Sequence, residues 1–185
     1  MDLIYEHPKR IGAEFCQKTI DAFENLAEMG CVRTRHDKVR RDNQTNLASI
    51  DDANMRNTEL SKEFFGFIDE GLNSYIQKYN LHTMFSEGLW CRDFLVQRSI
   101  ADMCEQYSTW HCEASSRETS DRAMTFIVYL NDNYKGGETQ MLFQKKNIKP
   151  EMGKLVIFPA YYTHIHRGNM IEKGTKYIAT GWIYC

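Results

Sequence analysis

No stretch of this 185-residue chain approaches the roughly 18 consecutive apolar residues that a membrane helix needs. The opening MDLIYEHPKR has no apolar core of the kind that marks a secretory leader. An excess of one charge is missing too: 23 Lys and Arg stand against 25 Asp and Glu, a net charge of -2, so nothing global draws the chain to nucleic acid or anionic membranes. Paired cysteines are also absent. Cys16, Cys31, Cys91, Cys104, Cys112 and Cys185 include no CxxC and lie too far apart for a disulfide framework or a zinc ribbon. No internal repeat or low-complexity segment occurs. Together these absences predict a cytoplasmic protein with reduced thiols and no membrane partner, with Cys104 and Cys112 as candidate reactive groups.

What is present is ordinary globular composition, 42% hydrophobic and 26% charged, in a length that suits one domain with a substantial core. The first half reads as helical. In residues 12–30, Phe15, Ile20, Phe23 and Leu26 recur near the helical period, and Gly30 is a natural stop. Residues 58–80 carry Phe64, Phe65, Ile68, Leu72 and Ile76 in the same rhythm. Between them, residues 34–57 are polar, aperiodic and long for a connector, which predicts a functional loop able to act as a lid. The second half is built of short β-branched and aromatic runs at 93–100, 123–130, 139–143, 154–159 and 176–184, separated by turn signals such as Gly136-Gly137 and Gly153. The expected fold is mainly β with N-terminal helices, a barrel or jelly roll in one domain over 1–185, with 1–90 as helical support and loop and 91–185 as core.

Chemistry concentrates in two stretches of the second half. Read as a strand, STWHCE (108–113) turns His111 and Glu113 to one face, with Trp110 and Cys112 on the other. In YTHIHRGNMIEKGTKY (162–177), His164 and His166 also share a face, and either can supply a third ligand. Two histidines and one carboxylate with open positions are the non-haem Fe(II) oxygenase pattern. Lys176, aimed into a barrel, needs an anionic partner, because an unpaired buried charge is costly. Taken singly, each feature has a plainer explanation: a surface His-x-Glu, a packed histidine, an exposed strand lysine.

The order of motifs decides between them. WHCE, RAMTFIVYLN, GGET, IKPEMGKLVIFP and HRGNMIEKGTKYIATGW follow one another between Phe94 and Tyr184. This series resembles the Fe(II)- and 2-oxoglutarate-dependent dioxygenases, in their prolyl 4-hydroxylase-like branch. The resemblance implies a double-stranded β-helix (jelly roll, cupin-like) core and Fe(II) held by His111, Glu113 and His166. It places Lys176 and Tyr129 at the distal carboxylate of the 2-oxoglutarate cosubstrate, Thr180 and Trp182 along its pocket, and admits ascorbate as a further cofactor. The implied reaction uses O2 to hydroxylate an aliphatic C–H, foremost a peptidyl proline, with release of succinate and CO2. Alternatives on the same fold are a free amino acid, a small metabolite or nucleic acid as substrate, or a barrel that binds a metal or ligand without turnover. The basic run RTRHDKVRR (33–41) is interrupted by Asp37 and followed by Asp42, which favours a solvated loop over a phosphate contact. Two departures stand out: the carboxylate is Glu113 where Asp is usual, and Ser99 occupies the place of a family tyrosine for which Tyr107 is a candidate substitute.

Overall fold

The computed structural model describes residues 2–36, 40–48, 58–85, 88–103 and 108–185. The two expected helices form where the periodicity places them. Helix α1 spans Ala13–Glu28 and buries Phe15, Cys16, Thr19 and Phe23. It ends as the glycine demands: Gly30 takes φ +72°, its N–H reaches the Ala27 carbonyl and that of Cys31 reaches Leu26. Helix α2 spans Glu59–Tyr79, is capped by the Thr58 hydroxyl accepting from the Ser61 N–H, and closes on Asn80 at φ 53°. Among the described residues no helix is long and apolar enough to cross a membrane.

Thirteen strands follow in the chain order β1 Tyr5–Arg10, β2 Arg33–His36, β3 Arg41–Asn46, β4 Trp90–Cys91, β5 Leu95–Ile100, β6 Arg122–Tyr129, β7 Lys135–Gly136, β8 Thr139–Met141, β9 Lys146–Ile148, β10 Lys154–Pro159, β11 His166–Gly168, β12 Ile171–Lys173 and β13 Thr175–Tyr184. The major sheet runs β1-β10-β6-β13-β5-β3-β2, with β4 joining β13. A smaller sheet, β11-β8-β9, and the pair β12-β7 complete the fold, and every pairing is antiparallel. This is the expected double-stranded β-helix with its helices on one side.

Strand alternation sorts the major sheet into two faces. Phe126 and Val128, Leu155 and Ile157, Ala179 and Ile183 pack with Phe15, Phe23, Phe64, Ile68 and Tyr75 of the helices. The intervening Ile127, Tyr129, Val156 and Phe158 face inward with Met141 and Ile148 of the small sheet. Gly181 falls on the crowded helix side, where a Cβ would lie 2.7 Å from the Phe126 ring.

The structure corrects three expectations. Residues 34–57 do not begin as an irregular loop: β2 and β3 form a hairpin that extends the major sheet through β3–β5 pairing, Asn43 opposite Arg98. Its polarity misled because its partners are polar: Asp42 is 2% exposed yet held by Arg35, and the Thr34 hydroxyl donates to Asn43 at 2.8 Å. Half of the expected lid, residues 37–39 and 49–57, lies outside the described residues. Strand β1 was missed because YEHPKR is charged and contains Pro8, which suits the sheet edge it occupies. Residues 108–113 are not a strand, since His111 makes a single bridge with His166.

Phe64 is fully buried and stacks on Phe94 with ring centroids 3.8 Å apart, at the joint between α2 and the sheet. Phe64→Ala is expected to lower unfolding free energy by about 3–5 kcal/mol in a urea titration. A loss below about 1 kcal/mol would show that this joint does not hold the helix to the sheet.

Candidate metal centre and cavity

Three elements bring the metal-ligating residues together. His166 opens β11, and its backbone exchanges both hydrogen bonds with His111, N–H to carbonyl at 2.9 and 3.0 Å. Glu113 is anchored by its own N–H to the Ala160 carbonyl at 2.9 Å, beyond the end of β10. The consequence is a cluster whose ligand atoms lie within 4.8 Å of one another. Glu113 Oε1 is 3.3 Å from His111 Nε2 and 3.4 Å from His166 Nε2.

The surroundings fix which atoms face inward. His111 Nδ1 donates to the Thr109 carbonyl at 2.8 Å and His166 Nδ1 to the His164 carbonyl at 3.0 Å. Each Nε2 is therefore left as the lone-pair donor, the arrangement that orients metal-binding imidazoles. The other carboxylate oxygen of Glu113 accepts from the Trp182 indole N–H at 2.8 Å and lies 3.7 Å from the Arg122 guanidinium, which stacks on Trp182 at 3.6 Å. Burial works against the Glu113 charge, but the hydrogen bonds and charges of the two histidines outweigh it and hold the carboxyl well below its usual range. Burial pushes His111 toward its neutral form, only partly offset by Glu113. A divalent metal binds the ionised carboxylate and the neutral imidazole, and burial favours the neutral form of His111.

The cluster borders a cavity of about 110 Å³. The inward stripes of the major sheet line it: Lys176, Ile178, Thr180 and Trp182 of β13, Leu95, Gln97 and Ser99 of β5, Thr125 and Ile127 of β6. Lys176 lies on β13 between β5 and β6, paired with Ser99, rather than alongside β11, which joins β8. Its ammonium is buried, donates to the Gly137 carbonyl at 2.6 Å and sits 5.7 Å from the Tyr129 ring. Burial lowers its pKa to about 8, with Glu138 acting weakly the other way. The tight GGET turn leaves room for the lysine: at Gly137, φ +70°, a Cβ would lie 3.3 Å from Lys176 Cδ.

Residues 97–184 match the family model of the 2OG-Fe(II) oxygenase superfamily. The match falls on the β core, from within β5 to the last residue of β13. Among curated proteins no sequence matches. Solved structures match over nearly the whole chain. The viral collagen prolyl hydroxylase of Paramecium bursaria Chlorella virus-1, in its 2OG complex, is 21% identical with a TM-score of 0.70, covering 98% of this chain and 96% of that one. A Pseudomonas putida prolyl-4-hydroxylase is 16% identical with a TM-score of 0.74 over 98% and 91%. A Trichoplax adhaerens prolyl hydroxylase, solved with a hypoxia-inducible-factor peptide fragment, is 16% identical with a TM-score of 0.70 over 98% and 83%. At these identities the likeness is one of fold.

Within this core, the structure places the anticipated residues unevenly. His111, Glu113 and His166 converge, and Lys176, Thr180 and Trp182 line the same cavity. Tyr129 stands one layer back: it is fully buried, and its hydroxyl shares a 2.7 Å hydrogen bond with Thr139, which does reach the cavity. Trp182 both lines the cavity and holds Glu113. His164 is buried outside the cluster, beside the Phe158 ring. Cys112 is a poor nucleophile, since burial and then the Glu113 charge push its thiol upward; Cys104 and Tyr107 lie outside the described residues. Reading the motifs for ligands alone overlooked Arg122 and Thr139, although both stand in the RAMT and GGET motifs. It also overlooked Arg35 and Asp42, whose hairpin gave no periodic signal.

The geometry separates the two histidines of HIH. His166→Ala is expected to abolish stoichiometric Co(II) binding, followed by visible absorption, whereas His164→Ala binds Co(II) within about threefold of the parent and loses folding stability instead. The reverse pattern would move the third ligand to His164.

Proposed function

We propose that the protein hydroxylates an aliphatic C–H of a peptidyl proline, using Fe(II) held by His111, Glu113 and His166 and 2-oxoglutarate held by Lys176. The observation that carries the reading is one cavity bordered by both a His-Glu-His cluster and a buried lysine that donates to the Gly137 carbonyl. When bound, the iron supplies O2 activation coupled to decarboxylation of 2-oxoglutarate. The chain's own residues do the rest. Glu113 and the two histidines present one carboxylate oxygen and two Nε2 atoms toward one point. Trp182 and Arg122 keep the second carboxylate oxygen occupied. Lys176 offers a cosubstrate carboxylate a buried positive partner, while Ile127 and Ile178 give the cavity apolar walls that exclude water. Ascorbate, on this reading, keeps the iron ferrous. A cytoplasmic location accords with the free thiols of Cys16, Cys31, Cys91, Cys112 and Cys185.

Peptide preference rests on fold likeness to prolyl hydroxylases, and a substrate panel tests it. Proline-containing peptides are expected to stimulate succinate release and to gain one oxygen by mass spectrometry. Stimulation by nucleotides or free amino acids and by no peptide would replace the proline reading while leaving the dioxygenase reading intact.

Lys176 makes a second prediction. Between pH about 8 and about 10.5 the unfolded chain holds a proton that folded, ligand-free Lys176 has released, so stability rises with pH across that window. A bound carboxylate reverses the preference by favouring the ammonium, with the Gly137 carbonyl, Glu138 and the Tyr129 ring around it. 2-Oxoglutarate binding is therefore expected to weaken as pH rises from about 7 to about 9, and Lys176→Met to lose roughly 2–5 kcal/mol of that binding with little change in metal affinity. Equal 2-oxoglutarate affinity in parent and variant would remove the assignment.

A further inference from the structure

The hydrogen-bonded pair His111–His166 has a neighbour pair on the opposite face of the same two segments. In an antiparallel register the next residues, Trp110 and Arg167, sit directly opposite each other at a non-hydrogen-bonded position, where side chains approach most closely. They meet: the Arg167 guanidinium lies 4.3 Å over the Trp110 ring. Arg167 is also tied sideways, its Nε–H donating to Gln140 Oε1 at 2.8 Å, and Gln140 is its register partner on β8. A row Trp110–Arg167–Gln140 thus crosses three chain segments on the face away from the cavity, behind the row His111–His166–Met141 on the inner face.

Segment 108–113 needs such a tie. It belongs to no sheet, and apart from the single bridge at His111 its backbone is held by Glu113: that residue's N–H to Ala160 and its carbonyl accepting from Arg122 at 3.0 Å. The bridge to His166 sets the backbone at His111, and the hydrogen bond from Nδ1 to the Thr109 carbonyl sets its ring, so both depend on the segment keeping its rotation about its own axis. A planar guanidinium stacked on Trp110 and anchored on β8 reinforces that rotation from the opposite face, because turning His111 away from Glu113 also turns Trp110 off Arg167.

We propose that Trp110, Arg167 and Gln140 form a latch that positions His111 and thereby sets the metal affinity of the cluster. None of the three lines the cavity or touches a ligand atom, so they are positioning residues. The inference rests on the metal reading above. In the present-day chain the latch gives Arg167, the residue between His166 and Gly168 in the HRG motif, a task separate from ligation.

The test is a Co(II) titration of the full chain followed by visible absorption, together with the thermal midpoint of the metal-free protein. Parent protein and His166→Ala come first: if the parent binds no Co(II), the metal reading itself fails. With parent binding established, Arg167→Met and Trp110→Leu are each expected to weaken Co(II) binding about tenfold, as loss of groups that orient ligands does elsewhere. The double variant should be little worse than either single, since the two residues act as one unit. Arg167→Lys, which keeps the charge without the planar stack, should fall between parent and Arg167→Met, and the metal-free midpoint should move little throughout. Should the first two variants fail to fold, Gln140→Leu unties the guanidinium from β8 and is expected to weaken Co(II) binding several-fold. Unchanged Co(II) affinity in the variants that fold, single effects that multiply independently, or losses that track the metal-free midpoint would each overturn the latch.

Discussion

The Glu113 carboxylate is the constraint on which the rest of the structure turns. An ionised carboxylate at this depth is expensive unless its lone pairs are met, and it meets four groups from four parts of the chain: His111 beside it, Arg122 at the start of β6, His166 on β11 and Trp182 on β13. Those partners divide the two oxygens. One faces both histidines, and the other is occupied by the indole and the guanidinium. A glutamate is longer and has one more rotatable bond than an aspartate, so a fixed second oxygen matters more here. Trp182 and Arg122 would orient a glutamate for service in a position where the resembled family uses aspartate.

The sheet topology makes that convergence possible. β6, β10 and β13 lie together at the centre of the major sheet and present apolar residues to the helices on one face. Because strand side chains alternate, the same strands turn Thr125, Ile127, Thr180, Trp182 and Lys176 to the cavity. The aromatic packing of Phe15, Phe64 and Phe94 joins the helices to the sheet, while the inner face sets cavity-lining polar groups beside the apolar cluster of Ile127, Val156 and Phe158. The small sheet then closes over that face with His166.

Much of this was legible in the sequence, for identifiable physical reasons. Strands β5, β6, β8, β10 and β13 are β-branched, aromatic runs, and both helices carry a strong apolar stripe, so burial pattern and sequence pattern coincide. The candidate ligands were legible because they occur in an ordered series of motifs. What escaped was structure whose stabilising contacts are polar. Strand β1 is charged and holds a proline at a sheet edge, and the β2–β3 hairpin is stabilised by Arg35–Asp42 and Thr34–Asn43, pairs that no periodicity announces. His111 and Glu113 were correctly paired through a wrong premise. They converge through one bridge and two backbone bonds to Ala160 rather than through a regular strand. Tyr129 shows the converse: the motif identified the residue, but only the fold shows that Thr139 stands between it and the cavity.

The account joins the metal cluster and Lys176 into a single binding site for iron and 2-oxoglutarate. Anaerobic calorimetry of 2-oxoglutarate into Fe(II)-loaded and metal-free protein measures that join directly. The account predicts one molecule bound per chain in the loaded protein and affinity lower by at least about tenfold without metal. Equal affinity in both forms, or no binding to the loaded form, would contradict it.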